Sequence, residues 1–427
     1  MPALAFPTSL IRTAAWFLLS LLLLLGMGLT ARAADEAIAS GARLGGDGQE
    51  SRFVLELDKP VAFRVFTLAD PYRVILDMPQ VNFQLKKGQD GVGAGLISAY
   101  RYGVFSEGKS RIVIDVLAPV AVRKSFMLKP VDGKPARLVL DLVRTDRSGF
   151  LAHTASAAAA RRAERARQRR VANSLRGVNV PLPRTKPRMM GAGGKRRPVG
   201  KPVVVIDPGH GGIDPGASGR RGSKEKHLVL AFSKTLYAKL KASGRYDVHM
   251  TRTRDVFIRL SERVRIASRH HADLFISIHA DSIRRGNIRG ATIYTLSEKS
   301  SDKEAAALAA KENRADIIAG VDLEDAPDEL AGIFIDLAQR EAKNESIKFA
   351  RTAIRSMQHI RLNRNPHRYA GFRVLKSPNF PSVLIELGYL SSRKDEKLLS
   401  SKRWRNNAAG AVAQAINGYF RKRLANR

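Results

Sequence analysis

Two histidines and two glutamates are the residues of this chain with chemistry in reach. His210 stands in Asp207-Pro-Gly-His-Gly-Gly212, directly after the apolar run 202–207. Pro and Gly fix a tight turn there, and the glycines clear space around the imidazole. His279 stands in His279-Ala-Asp281, directly after the apolar run 273–278. Glu225 lies between them, where a helical pattern opens. Two histidines and one carboxylate are the ligand set of a hydrolytic zinc site, which keeps a fourth position for water. The plainer reading stays open, because a histidine after a strand is commonly structural and neither HExxH nor another short-range zinc signature is present. Glu386 is embedded in the apolar Val383-Leu-Ile-Glu-Leu387, just before Gly388. A carboxylate there must meet a partner or act chemically, since burying it unpaired is costly. Desolvation would raise its pKa towards the range useful for proton transfer. The alternative is an ion pair with a nearby Arg or Lys.

Alternating strand and helix patterns must position these residues. Strands are expected over 202–207, 247–251, 273–278, 291–295 and 382–387, and helices over 225–243, 258–271 and 403–424. That alternation predicts a three-layer α/β domain over 201–427, with a mostly parallel sheet and helices on both faces. In such sheets the site lies at the carboxyl ends of the strands.

Ahead of it, residues 36–145 read as a small all-β sandwich, with short Val-, Ile- or Leu-rich runs at 52–58, 72–77, 111–116 and 137–142. Asp58, Asp77, Asp115 and Asp141 recur near the ends of these runs and read as turn chemistry. With no histidine cluster and no convincing nucleophile, this part reads as a binding module. Residues 146–200 are rich in Arg, Ala, Pro and Gly and read as a basic, disordered linker, either a spacer or a weak tether to anionic lipid or wall polymer. Residues 1–33 have the pattern of a cleavable signal peptide, with an apolar stretch from Ala14 and Ala31-Arg-Ala33 as the cleavage site. A soluble protein outside the cytoplasm is therefore expected. The chain has 427 residues, 74 Lys+Arg against 39 Asp+Glu, a net charge of +35 and no Cys. The charge favours a polyanionic partner. Absent cysteine excludes disulfides, thiolate nucleophiles and Cys-ligated metal. A nucleic-acid partner is disfavoured, because no recognised binding motif accompanies the charge and export removes the opportunity.

Val203-Val-Val-Ile-Asp-Pro-Gly-His-Gly-Gly212, Leu274-Phe-Ile-Ser-Ile-His-Ala-Asp281 and Pro381-Ser-Val-Leu-Ile-Glu-Leu-Gly-Tyr-Leu-Ser391 resemble the zinc-dependent N-acetylmuramoyl-L-alanine amidases of the type 3 family. The N-terminal strands resemble, more loosely, the AMIN domain that often precedes this catalytic domain and binds the cell wall. The resemblance implies that His210, Glu225 and His279 bind zinc and that Glu386 is the catalytic carboxylate. Glu225 has the least distinctive surroundings, with His227 close by. The implied reaction is hydrolysis of the amide between the lactyl group of N-acetylmuramic acid and L-alanine of the stem peptide. The helical stretches over 301–361 resemble an insertion of division-associated Gram-negative amidases. There it implies an autoinhibitory helix, displaced by an activator with a LytM-type domain. Glu312, with Glu304 as second choice, is the expected occupant of the open metal position; a helical hairpin that merely packs is the alternative. A periplasmic monomer that acts in septal splitting is expected. A zinc peptidase acting on stem peptides and an inactive wall-binding scaffold are the rival functions.

Overall fold

A computed structural model describes residues 36–85, 93–152, 154, 200–283, 288–319 and 334–425. The expected signal peptide and nearly all of the expected basic linker lie outside the described residues.

The N-terminal unit contains β1 (Ala37–Gly46), β2 (Glu50–Leu57), β3 (Arg64–Leu68), β4 (Arg73–Pro79), β5 (Val81–Phe83), β6 (Ile97–Ser106), β7 (Lys109–Val116), β8 (Val120–Leu128) and β9 (Ala136–Arg144). They form two sheets, ordered β5-β1-β2-β9-β8 and β3-β4-β7-β6. All pairings are antiparallel except β1 with β5, which run parallel. Alternation sorts the side chains: Val74, Leu76, Ile112 and Ile114 enter the core between the sheets with Phe53, Leu55, Leu138 and Leu140. Two expectations are corrected here. Asp77, Asp115 and Asp141 do not serve turns; they pair with Arg111, Arg101 and Arg52 across the ladders. Only Asp58 caps a backbone, accepting from the Ile38 amide at 2.8 Å. The unit also runs past 145, because Phe150 is fully buried and packs edge-on against Tyr72 with ring centroids 4.8 Å apart.

The second unit is a six-stranded sheet with helices on both faces. Its strands are β10 (Val203–Pro208), β11 (Asp247–Met250), β12 (Leu274–His279), β13 (Ala291–Leu296), β14 (Leu362–Ala370) and β15 (Ser382–Glu386), in the order β11-β10-β12-β15-β13-β14. Every pairing is parallel except β13 with β15. β10, β12 and β15 are buried at every residue, which is why they read as continuous apolar runs. The helices are α1 (Glu225–Ala242), α2 (Leu260–Arg269), α3 (Lys303–Glu312), α4 (Ala315–Ile318), α5 (Phe334–Ser356), α6 (Arg393–Ser400) and α7 (Lys402–Ala425). α1, α5 and α7 cover one face through Phe232, Leu236, Phe349, Val412 and Ile416. α2 and α3 cover the other through Leu260, Ala267, Ala305 and Leu308, beside Phe275 and Leu384. Helix continuity over 301–318 breaks at Asn313 and Arg314, so α3 and α4 are separate turns of the same segment. α3 starts where Asp302 caps it, its carboxylate accepting from the Ala305 amide at 2.8 Å.

A buried ion pair fixes the carboxyl end of β10. Arg263 of α2 donates to Asp207 at 2.7 Å and to the carbonyls of Pro208 and His210, each at 2.7 Å. Thr251 and Ser277 also donate to Asp207, at 2.6 and 2.7 Å. Burial pushes the Asp207 carboxyl up, but the Arg263 charge and these donors outweigh it and leave it below its ordinary value. Arg263→Met should destabilise the protein by about 3–5 kcal/mol, because it strands a buried carboxylate. Urea denaturation of this variant and of Arg263→Met/Asp207→Asn checks it. The double variant should lose less than the sum of the singles.

Candidate metal centre and active site

The carboxyl ends of β10, β12 and β15 carry the polar residues. β12 and β15 are parallel neighbours in register, so His279 and Glu386 stand side by side at their last positions. His210 follows β10 by two residues in a turn that forces it to φ +56°, a left-handed conformation rare for a residue with a side chain. Arg252 holds this turn beside Arg263, donating to the carbonyls of Pro208 at 3.0 Å and Gly209 at 2.7 Å. A Cβ at Gly209 would run into the His279 ring, so only glycine lets the two imidazoles approach. Their ring centroids lie 4.9 Å apart.

Glu225 reaches the same place from the first turn of α1. Its Oε2 accepts from the Ala217 amide and its Oε1 from the Ala280 amide, both at 2.8 Å. Oε1 lies 3.2 Å from His210 Nε2 and 3.3 Å from His279 Nδ1. From the opposite side α3 brings Glu312, whose Oε2 lies 3.5 Å from His210 Nε2 and 3.2 Å from His279 Nδ1. His210, His279 and Glu312 offer ligand atoms that all lie within 4.8 Å of one another. His210 Nε2 and His279 Nδ1 are buried and make no hydrogen bond. Two buried imidazole nitrogens aimed at shared carboxylate oxygens form a donor set for a cation. The 3.2–3.5 Å spacings match the edges of a tetrahedron whose metal bonds are 2.0–2.1 Å, which are about 3.3–3.4 Å.

The charge around these nitrogens is one-sided. Burial opposes a proton on His210, yet Asp214, Glu225 and Glu312 outweigh it and hold the imidazole well above its usual pKa. Glu386 is fully buried. Its Oε2 accepts from the Asp281 amide at 2.9 Å, and Oε1 has no hydrogen-bond partner. Burial first, then the charges of Glu225, Asp281 and Glu312, push its carboxyl well above the ordinary carboxylate range. No Arg or Lys among the described residues pairs with it, unlike the ion-pair alternative. The sequence reading missed Asp214, which bonds His210 Nδ1 at 2.8 Å and orients the ring from behind. Its four-residue offset from His210 in a Gly-rich turn was the available signal. Lys311 was passed over too; it pairs with Asp281 and ties α3 to the end of β12. Glu304 lies elsewhere, its Oε2 2.9 Å from Arg368. His227 is also outside the site, exposed and 3.4 Å from Asp255.

The chain is similar to known proteins over both units. Residues 204–418 match the family described as N-acetylmuramoyl-L-alanine amidase (Amidase_3), and residues 42–142 match the AMIN domain. The chain is 40% identical over 238 residues to the N-acetylmuramoyl-L-alanine amidase AmiA of Escherichia coli strain K12, covering 55% of this chain and 80% of that protein. It is 31% identical over 388 residues to AmiC of Neisseria meningitidis serogroup B, covering 89% of each. Among solved structures, the amidase AmiC2 of Nostoc punctiforme aligns at 28% identity and a TM-score of 0.37, over 52% of this chain and 98% of that one. The chain belongs to the N-acetylmuramoyl-L-alanine amidases, an AMIN-containing member of the Gram-negative type whose substrate is peptidoglycan.

Proposed function

We propose that this is a zinc-dependent periplasmic amidase that splits septal peptidoglycan during daughter-cell separation and is held shut at rest by α3. The observation that carries the zinc reading is the pair of buried, unpartnered nitrogens, His210 Nε2 and His279 Nδ1, within 3.2–3.5 Å of Glu225 and Glu312 oxygens. His210, Glu225 and His279 would hold the ion. When bound, zinc makes a water nucleophilic near neutral pH and polarises the substrate carbonyl. Glu386 Oε1 is the free basic atom of the site, while its Oε2 is held by the Asp281 amide. It takes the proton of the attacking water and delivers it to the nitrogen of L-alanine as the lactyl amide breaks. A carboxyl whose pKa lies above the ordinary range suits both halves of that transfer.

Glu312 is the fourth ligand of the resting state in this reading. Being part of the same chain, it competes with substrate at a high effective concentration. Lys311 and Asp281 hold the helix in place. An activator with a LytM-type domain would act by giving the segment a better place to sit.

Three outcomes follow on purified sacculi. A chelator should abolish release of stem peptides with a free N-terminal L-alanine, and added zinc should restore it, as read by mass spectrometry. Peptides cut within the stem would instead point to a peptidase. Glu386→Gln should lower turnover about 10²–10⁴-fold, while metal analysis still finds one zinc per chain. Glu312→Ala should raise basal hydrolysis without an activator; an unchanged rate in a folded variant removes the inhibitory role.

A further inference from the structure

The sheet β3-β4-β7-β6 has two faces with different partners. Val74, Leu76, Ile112 and Ile114 face the core of the N-terminal unit. The alternate positions Ile75 and Val113, with Leu68, pack instead against Ile213, Phe257 and Ala319 of the catalytic unit. Phe105 of β6 stacks on Phe257 with ring centroids 5.7 Å apart.

Three arginines share this outer face. Arg73 donates to the carbonyl of Ile317, Arg101 Nε to that of Ile318 at 2.9 Å, and Arg111 Nη1 to that of Ala319 at 3.2 Å. These are consecutive residues at the end of α4, whose last carbonyls have no partner within the helix. The guanidiniums are themselves held in place. Asp77 binds Arg111 at 2.5 and 2.7 Å, Asp115 binds Arg101, and the Pro71 carbonyl accepts from Arg73 at 3.0 Å. Arg111 also lies over the Phe105 ring, 3.6 Å from its centroid. Asp77 and Asp115 thus aim two of the three donors at one stretch of backbone. That stretch begins five residues after Glu312, and its helix, α4, is joined to α3 through Asn313 and Arg314. The same sheet touches the turn that carries His210. The Phe257 amide donates to the Val104 carbonyl at 3.2 Å, and a Cβ at Gly103 would come within 2.6 Å of the Gly212 backbone.

We propose that this sheet face is the docking surface for the end of the regulatory segment, so that Arg73, Arg101 and Arg111 form a second latch holding Glu312 in the site. The proposal rests on the reading of α3 as inhibitory. Release of the segment then requires the N-terminal unit to let go of residues 317–319, which couples the wall-binding module to the state of the active site. Lys311 secures α3 at the metal end, and the arginines secure α4 at the other.

The test uses the full chain, with Arg101→Ala/Arg111→Ala to remove donors and Gly103→Val to wedge the interface while leaving every arginine in place. Hydrogen exchange by mass spectrometry over 303–319 should accelerate about tenfold or more in both variants. Protection of β2 and β9 reports that the N-terminal unit remains folded; if the arginine variant loses it, Gly103→Val decides. Basal hydrolysis of sacculi should rise towards the level of Glu312→Ala. Unchanged exchange over 303–319 in a folded variant overturns the latch. Accelerated exchange with no gain in hydrolysis, while Glu312→Ala does gain, overturns its control of Glu312. If Glu312→Ala itself gains nothing but exchange accelerates, the inhibitory reading fails and the sheet contact stands.

Discussion

A concentration of negative charge at one end of the sheet governs the rest of this structure. Asp214, Glu225 and Glu312 converge on two imidazoles, with Asp281 and Glu386 buried beside them. Buried carboxylates at such distances repel one another strongly. The fold answers with donors at fixed positions: the amides of Ala217, Ala280 and Asp281, the ammonium of Lys311, and His210 Nδ1 against Asp214. On the zinc reading, a divalent cation would supply the remaining counter-charge, beside the unpartnered ring nitrogens.

The scaffold is shaped to maintain that crowding. Arg252 and Arg263 hold the carbonyls of Pro208, Gly209 and His210 from below, keeping His210 in a backbone conformation it would not choose alone. Both arginines bond backbone carbonyls of the turn rather than the imidazoles. The parallel register of β12 and β15 places His279 beside Glu386, and the antiparallel β13 continues the sheet beyond them. Rigid strands position the imidazoles, and α3 brings Glu312 against them.

α3 has a different energetic character from the strands. Two of its buried apolar side chains, Ala305 and Ala309, are small compared with the Phe, Ile and Val of the central strands, and Leu308 is its one large one. Much of what holds it is polar: Asp302 at its start, Lys311 with Asp281 near its end, and Asn313 against the Gly371 carbonyl at 2.8 Å. Contacts of this kind exchange readily with water and with other polar partners, because their net contribution is small relative to buried apolar area.

The amino-acid order alone determined the α/β alternation, because fully buried strands must be apolar throughout and covering helices must repeat every three to four residues. It also exposed His210, His279 and Glu386, since polar residues at the ends of apolar runs stand out. Other elements carried no such signal. β14 (Leu-Asn-Arg-Asn-Pro-His-Arg-Tyr-Ala) is an edge strand with a mostly polar sequence, and Ala- and Gly-rich β1 has a single β-branched residue, Ile38. Tertiary structure alone decided which carboxylates share the site. Glu312 and Glu304 lie on the same short helix, yet one faces the imidazoles and the other Arg368. It also decided that the strand aspartates orient arginines rather than turns, and that those arginines meet residues 317–319. The reason is the range of the forces: periodicity records which face of an element is buried, whereas an ion pair depends on which distant element lies opposite that face.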